Sequence, residues 1–281
     1  MILQKVQVFE VDQKCLVAGP IRESSLDANG LIVERGVYTV FRMYPGGKVL
    51  RFRHHVERLE HSAEVLGMPF AISEDWLRQV VFRCVGITEW DSTRVRVTIP
   101  FERPDSAMVA IEFFEPLPES YYDHGVAVGL LPAQRENPTA KNTAFIEQRK
   151  AALDRQPGVF EIILQSGDGY LLEGMSSNFY AILEGRLHTA GEGVLPGIAR
   201  SILLEVARGL LPVSYNPVHR SDLHSIEETF LTSSSRGVIP IVEIGGERLG
   251  DGKPGQLTRE LRSQFEAQVE RESELLWTGS I

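Results

Sequence analysis

Between Gly36 and Glu115 the spacing of the apolar residues changes period twice, which limits the folds open to this chain. Gly36-Val37-Tyr38-Thr39-Val40-Phe41-Arg42-Met43-Tyr44 is rich in β-branched and aromatic residues and stops at Pro45-Gly46-Gly47. It predicts a strand ended by a turn. From Arg53 to Met68 the period lengthens: Val56, Leu59, Ala63 and Leu66 fall three or four apart and give a helix one apolar face. A second helix is expected over 73–86, where Ser73 followed by Glu74 and Asp75 makes a good N-terminal signal. Residues 93–101 and 107–115 return to strand alternation, with Arg103-Pro104-Asp105 turning between them. The first part of the chain therefore reads as α+β, with an antiparallel sheet and two helices.

Ahead of this part, residues 3–18 alternate and meet Gly19-Pro20, like a strand or hairpin edge, and a turn-rich piece runs from Ser24 to Gly30. Behind it, Pro116–Ser120 resembles a linker, which predicts a division into 1–117 and 118–281. The second part opens with a strand at 125–131, an exposed loop over 132–139 and a helix at 142–154. Strands follow at 159–165, 169–173 and 178–183, then a helix at 197–210 and a short one at 219–226. Strands at 228–232 and 238–244 and a last helix at 254–276 complete the second α+β part.

Bulk properties exclude several classes. A net charge of -9 argues against a nucleic-acid scaffold, which needs a basic footprint. No stretch approaches the roughly 20 apolar residues of a membrane span. The first residues alternate and lack the basic start and long apolar run of a signal peptide. Cys15 and Cys84 sit in apolar surroundings without Cys-x-x-Cys spacing, and they read as reduced packing residues in a cytoplasmic protein.

Five places could carry chemistry. Lys141 follows a proline-bearing loop and heads Ala144-Phe145-Ile146; a lysine there can condense with an aldehyde once its amine loses its proton. Lys150, its nearest competitor, lies among Glu147, Arg149 and Arg155 on what reads as a solvated helix face. Glu173 ends the apolar run Tyr170-Leu171-Leu172, and a carboxylate held there could keep a pyridine nitrogen protonated. Leu195-Pro196-Gly197-Ile198-Ala199-Arg200 leads a glycine turn into a helix, whose free N–H groups suit a phosphate. Ser233-Ser234-Ser235 offers a second set of donors, and Arg58 a guanidinium that can fork onto phosphate. Each has an ordinary alternative: an exposed lysine, a cap, a plain helix start, a loop, a surface arginine.

In this order and spacing, Lys141-Asn-Thr-Ala-Phe-Ile, Leu171-Leu-Glu-Gly-Met-Ser-Ser-Asn-Phe, Leu195–Arg200 and His55-Val-Glu-Arg-Leu-Glu-His-Ser-Ala resemble the class IV aminotransferases, pyridoxal-phosphate enzymes of fold type IV. That family includes branched-chain aminotransferases, D-amino-acid aminotransferases and aminodeoxychorismate lyases. The resemblance spans about Gly36 to Phe265. It implies two α+β domains, the second barrel-like and carrying the Schiff-base lysine, with pyridoxal 5'-phosphate in the cleft between them. It implies a homodimer and ping-pong transfer of an amino group between an amino acid and a 2-keto acid.

By the same resemblance Lys141 forms the Schiff base, Arg58 holds the phosphate and Glu173 faces the pyridine nitrogen. Ser177 belongs to the turn after that glutamate, Leu195 packs on the ring, and Gly197, Ile198 and Ala199 seat the phosphate with Ser233 and Ser234. Tyr38, Arg96, Arg94 and Arg236 fall on the substrate side. Three positions depart from the family pattern: Ala199 stands where Thr is common, Thr39 where Glu is common, and Met175 where a small residue is common. Two other readings remain open, a lyase that eliminates pyruvate from an aminated chorismate and a cofactor-free binding protein on the same fold. A serine hydrolase lacks the Gly-x-Ser-x-Gly elbow, and a metal enzyme lacks the ligand spacing, since His54 and His55 are adjacent.

Overall fold

The computed structural model describes residues 6–12, 16–19, 25–26 and 34–278. Cys15, and the Ser24–Gly30 piece apart from Ser25 and Leu26, lie outside them. The fold is α+β. Contacts divide the chain into two units, and the division is less simple than a cut near residue 117. The first unit combines residues up to Glu115 with Ala140–Glu147 and the chain from Glu272 onward; the second holds Pro116–Thr139 and Gln148–Arg271.

In the first unit, strands β1 (Val6–Val11), β2 (Leu16–Gly19), β3 (Gly36–Tyr44), β4 (Lys48–Leu50), β5 (Thr93–Pro100) and β6 (Ala107–Phe113) join β16 (Ser273–Leu275). They form one antiparallel sheet in the order β16-β4-β3-β5-β6-β1-β2. Helices α1 (Phe52–Val65) and α2 (Glu74–Thr88) lie against one face. Phe52, Leu59 and Ala63 from α1, and Leu77, Val81 and Cys84 from α2, pack with Phe41, Val95, Val97, Val109 and Ile111 of the strands. Fully burying each large side chain in this set stabilises by about 1.5–3 kcal/mol. Ser73 caps α2 as its sequence predicts, its side chain accepting from Trp76 N at 3.2 Å.

The expected helix over 254–276 ends at Glu272, because the next three residues pair with β4 (Ser273 with Leu50, Leu275 with Lys48). That pairing brings Glu274 to the start of α1, where it accepts from Phe52 N at 3.0 Å, a favourable place for a carboxylate. Leu276 is buried in the same core.

In the second unit, β7 (Val126–Pro132), β8 (Glu161–Gln165), β9 (Leu171–Gly174), β10 (Ser177–Leu183), β13 (Glu228–Ser233) and β14 (Gly237–Ile244) form a closed ring. Pairing of β9 with β10, Glu173 opposite Asn178, closes it. The β14–β7 and β7–β8 pairs are parallel and the other pairs in the ring are antiparallel. Small strands β11 (Arg186–His188) and β12 (Val213–Ser214) extend β10, and β15 (Glu247–Arg248) pairs with β14. The sequence reading passed over β4, β11, β12 and β15, each of two or three residues and too short to show a period. It also read Pro116–Ser120 as linker, whereas Ser120 opens a one-turn helix, α3 (Ser120–His124). Helices α4 (Ala144–Arg155), α5 (Ile198–Ala207) and α6 (Gln256–Glu272) complete the fold, with a 3-10 turn over Arg220–Ser225. Among the described residues no helix is long and apolar enough to cross a membrane.

Candidate active site

Lys141 belongs by its contacts to the first unit and not, as expected, to the second. The reason is local pairing. Residues 141–143 run antiparallel to the start of β3: Tyr38 N donates to Lys141 O at 2.9 Å and Thr143 N to Gly36 O at 3.0 Å. Thr143 Oγ1 accepts from Gly36 N at 3.0 Å. Gly36 is required here, since a Cβ would lie 2.1 Å from Ile99 O on the neighbouring strand. Lys141 N in turn donates to Ser62 Oγ at 3.0 Å, and Ser62 Oγ donates to Arg58 O at 2.6 Å. These bonds fix the lysine backbone against β3 and α1. Its Nζ lies 4.9 Å from the centre of the Tyr38 ring.

Arg58 is buried, which replaces the reading of a surface arginine paired along its helix. Its Nη2 donates to Thr39 Oγ1 at 2.5 Å and stands 3.3 Å from His55 Nδ1. Thr39 Oγ1 lies 2.8 Å from the same His55 nitrogen, so Arg58 donates to the threonine and the threonine donates to the histidine. Thr39 occupies a core-facing position of β3, on the same face as Val37 and Phe41, and His55 and Arg58 reach it because they are three apart on α1. Burial, Arg58, His54 and Lys141 push His55 well below the ordinary histidine range, so its ring is neutral. Burial also lowers Arg58, to about 10. No carboxylate among the described residues is within ion-pair distance of it.

Arg96 projects from the opposite face of β5, with its guanidinium 5.4 Å from the centre of the Tyr38 ring and Nη1 donating to Leu26 O at 2.7 Å. Arg94 is held by Glu112, directly opposite on β6, at 2.9 Å. The first unit therefore gathers Tyr38, Arg58, Arg96 and Lys141, while Arg94 is committed to an ion pair.

The second unit gathers the remaining candidates. Glu173 is buried at the end of β9 and accepts from Leu195 N at 3.0 Å. Its cross-strand partner Asn178 donates to Leu195 O at 2.9 Å. The two strands thus grip Leu195 on both backbone sides and set the turn that enters α5. Gly197 is the residue before that helix; a Cβ on it would lie 2.2 Å from Asn178 Oδ1. Leu195, Ile198 and Ala199 are buried. The helix start has no side-chain cap, which leaves its first N–H groups for a ligand.

Ser177 is buried with its Oγ 3.4 Å from Glu161 Oε2. Ser233 ends β13 and accepts from Arg236, and Ser234 is the next residue of that turn. Lys150 lies on an exposed face beside Asp154 at 2.6 Å, as expected. Arg149 departs from that face and stands 3.7 Å from Glu161.

Four participants escaped the sequence reading. In the sequence Thr39 reads only as a departure from the family pattern and His55 only as a motif residue. Arg135, from the loop read as exposed, is half-buried with its side chain turned in, 3.1 Å from Glu173, and also donates to Met175 O at 3.1 Å. Glu161 is fully buried at the start of β8. Apart from His55 and Arg58, three apart on α1, their partners lie far away in sequence, so no spacing signals them; a lone acid opening an apolar strand, as at Glu161, is a further hint.

The first unit thus sets Lys141 near a buried guanidinium, and the second carries a buried carboxylate on a closed strand ring. The amino-transferase class IV family model matches residues 36–244, and this chain belongs to that family. A relative from Thermotoga maritima described as a "probable branched-chain-amino-acid aminotransferase" is 28% identical over 245 residues, covering 83% of this chain and 86% of the relative. The D-alanine aminotransferase of Listeria innocua is 27% identical over 266 residues, covering 84% and 87%. Among solved structures, a T.th. branched-chain amino acid aminotransferase with pyridoxamine 5'-phosphate superposes with a TM-score of 0.81 at 21% identity, covering 97% of this chain and 99% of that one.

Proposed function

We propose that this chain is a pyridoxal 5'-phosphate-dependent aminotransferase that moves an amino group between an amino acid and a 2-keto acid by a ping-pong mechanism. The observation that carries the reading is Arg58: a buried guanidinium whose partners, Thr39 and His55, are both neutral. A buried cation without an acid is costly, and a dianionic phosphate is a partner of the right charge. The other residues fit the same group. Glu173 is a buried carboxylate, and the glycine turn at 197 opens an uncapped helix.

When bound, the cofactor supplies an aldehyde that condenses with amines and a protonated ring that draws electrons from the donor's Cα. Arg58, Ser233, Ser234 and the backbone of Gly197, Ile198 and Ala199 would hold its phosphate, with Ser177 in the turn that follows Glu173. Leu195 would pack on the ring, and Glu173 would keep the pyridine nitrogen protonated. Lys141 would carry the cofactor, and its Nζ is the base that would take the substrate Cα proton and the acid that would return it. Tyr38 and Arg96 orient the substrate, Arg96 as a guanidinium able to hold a carboxylate. The protein works as a cytoplasmic homodimer, a state that sedimentation velocity would read.

An absorbance spectrum of the purified protein after incubation with pyridoxal 5'-phosphate tests the reading. The wild type should gain a visible band that Lys141→Ala loses, and an L- or D-amino acid should bleach the band with release of its keto acid. A wild type that takes up no cofactor would sink the proposal. A coloured protein that is inert to both enantiomers would turn it toward elimination.

A further inference from the structure

One charged cluster in the second unit has no part in the roles above. Glu161 is fully buried, and burial alone would raise its pKa. Arg149, Arg236, the Ser176 hydroxyl and its own strand's Ile162 N hold it instead below the ordinary carboxylate value. Ser176 Oγ donates to Glu161 Oε2 in a short bond, and Arg236 Nη2 stands 3.4 Å from the same oxygen. Arg236 Nη2 also donates to Ser176 Oγ at 2.7 Å. The guanidinium carbon sits 5.2 Å from the centre of the Phe160 ring. Arg236 is thus tied down on one side by a buried acid, a hydroxyl and an aromatic ring.

Its other side addresses Ser233. Arg236 Nε donates to Ser233 Oγ at 3.1 Å, and Arg236 N donates to the same oxygen at 3.3 Å. A serine hydroxyl has two acceptor sites and one proton. Arg236 fills both acceptor sites, so the Ser233 proton can only be given away, to an acceptor elsewhere.

We infer that Arg236 is a positioning residue for the cofactor phosphate rather than a clamp for the substrate carboxylate: anchored by Glu161 and Ser176, it orients the Ser233 hydroxyl as a donor to that phosphate. The assignment rests on the cofactor reading above. It also accounts for an arginine at this place in a turn of small residues, since the fork of a guanidinium can serve Ser176 and Ser233 at once where an ammonium cannot.

The experiment compares binding of pyridoxal 5'-phosphate and of pyridoxal, which lacks the phosphate, to the apoprotein by fluorescence titration. The proteins are wild type, Arg236→Gln, Arg236→Lys, Ser233→Ala and the Arg236→Gln/Ser233→Ala double variant. Arg236→Gln and Ser233→Ala should each weaken pyridoxal 5'-phosphate by roughly 10- to 150-fold, the range for one hydrogen bond to a charged group, and leave pyridoxal unchanged. The double variant should be no weaker than the worse single one, because both remove the same contact. Arg236→Lys keeps a cation for Glu161, so it should restore the melting temperature without restoring the phosphate preference. KM for the amino acid should stay within about twofold, as expected of a residue that does not touch the substrate.

A tenfold rise in KM with cofactor affinity unchanged would make Arg236 the carboxylate clamp and overturn the inference. Equal losses for both ligands, or additive losses in the double variant, would also overturn it. A wild type that binds neither ligand would remove the cofactor reading and this assignment together, whereas a wild type that binds both alongside indifferent Arg236 variants removes this assignment alone.

Discussion

Arg58 spends the ligand-free state as a buried cation among neutral partners, and its pKa shows the cost. Burial holds it at about 10 in the folded protein, below its ordinary value in the unfolded chain. Between those two values the unfolded chain binds more protons, so this residue's contribution to stability rises with pH across that window. Below about pH 10 the penalty is present in full, and an anion that pairs with Arg58 relieves it. Inorganic phosphate should therefore raise the melting temperature of the apoprotein near pH 7.5, by the increment that ligand binding to the native state gives. Arg58→Gln should lose most of that increment, and in the wild type it should shrink as pH rises through 10. Differential scanning fluorimetry in phosphate and in chloride at matched ionic strength reads all three. An increment that survives in Arg58→Gln would place the anion elsewhere. Thr39 is the residue that leaves this charge open, since an acid at its position would sit within reach of the guanidinium.

The short run at 141–143 acts as an extra edge on β3, and its hold depends on one side chain. Thr143 Oγ1 accepts from Gly36 N, the donor at the start of the strand that carries Thr39 and Tyr38. Thr143→Val keeps the shape and strands that donor, at a cost of about 1–3 kcal/mol. Urea unfolding should show it as a lower midpoint with an unchanged slope, and Thr143→Ser should recover most of the loss. No difference between Val and Thr would mean the edge is held by backbone bonds alone. This element also marks the limit of what the sequence could say. The longer strands and helices from Gly36 to Ile244 were legible, because periods of two and three to four are written into neighbouring residues. Lys141, Arg58 and Glu173 were legible as a motif in order. The pairing of residue 141 with residue 38, of Arg135 with Glu173 and of Glu161 with Arg236 was not, because each joins residues that no local period relates. The end of the last helix was misread for the same reason: Ser273–Leu275 become a strand only because β4 is there to pair with them.

At the scale of the whole molecule, the first unit is built from three stretches of chain that return to one sheet. Among the described residues the first stretch supplies two helices and six strands, the second the Lys141 edge, and the third β16 with Glu274 and Leu276. A protein cut where the sequence looks like a linker would lose the last two. In a fragment ending at Glu115, Phe52 N at the start of α1 loses its Glu274 carboxylate and β4 becomes an open edge. The core loses Leu276, worth about 2–3 kcal/mol of burial. Gly36 N and O lose their Thr143 partners, at about 1–3 kcal/mol for each buried group left unpaired. Summed, these are a large part of the roughly 5–15 kcal/mol by which a domain is stable. The fragment of residues 1–115 should thus fail to fold cooperatively, with poor amide dispersion by NMR and no sharp thermal transition. The same fragment joined through short glycine-serine linkers to residues 140–147 and 272–281 should recover both. A well-dispersed, cooperatively melting 1–115 fragment would show that the two returning stretches decorate the unit without building it.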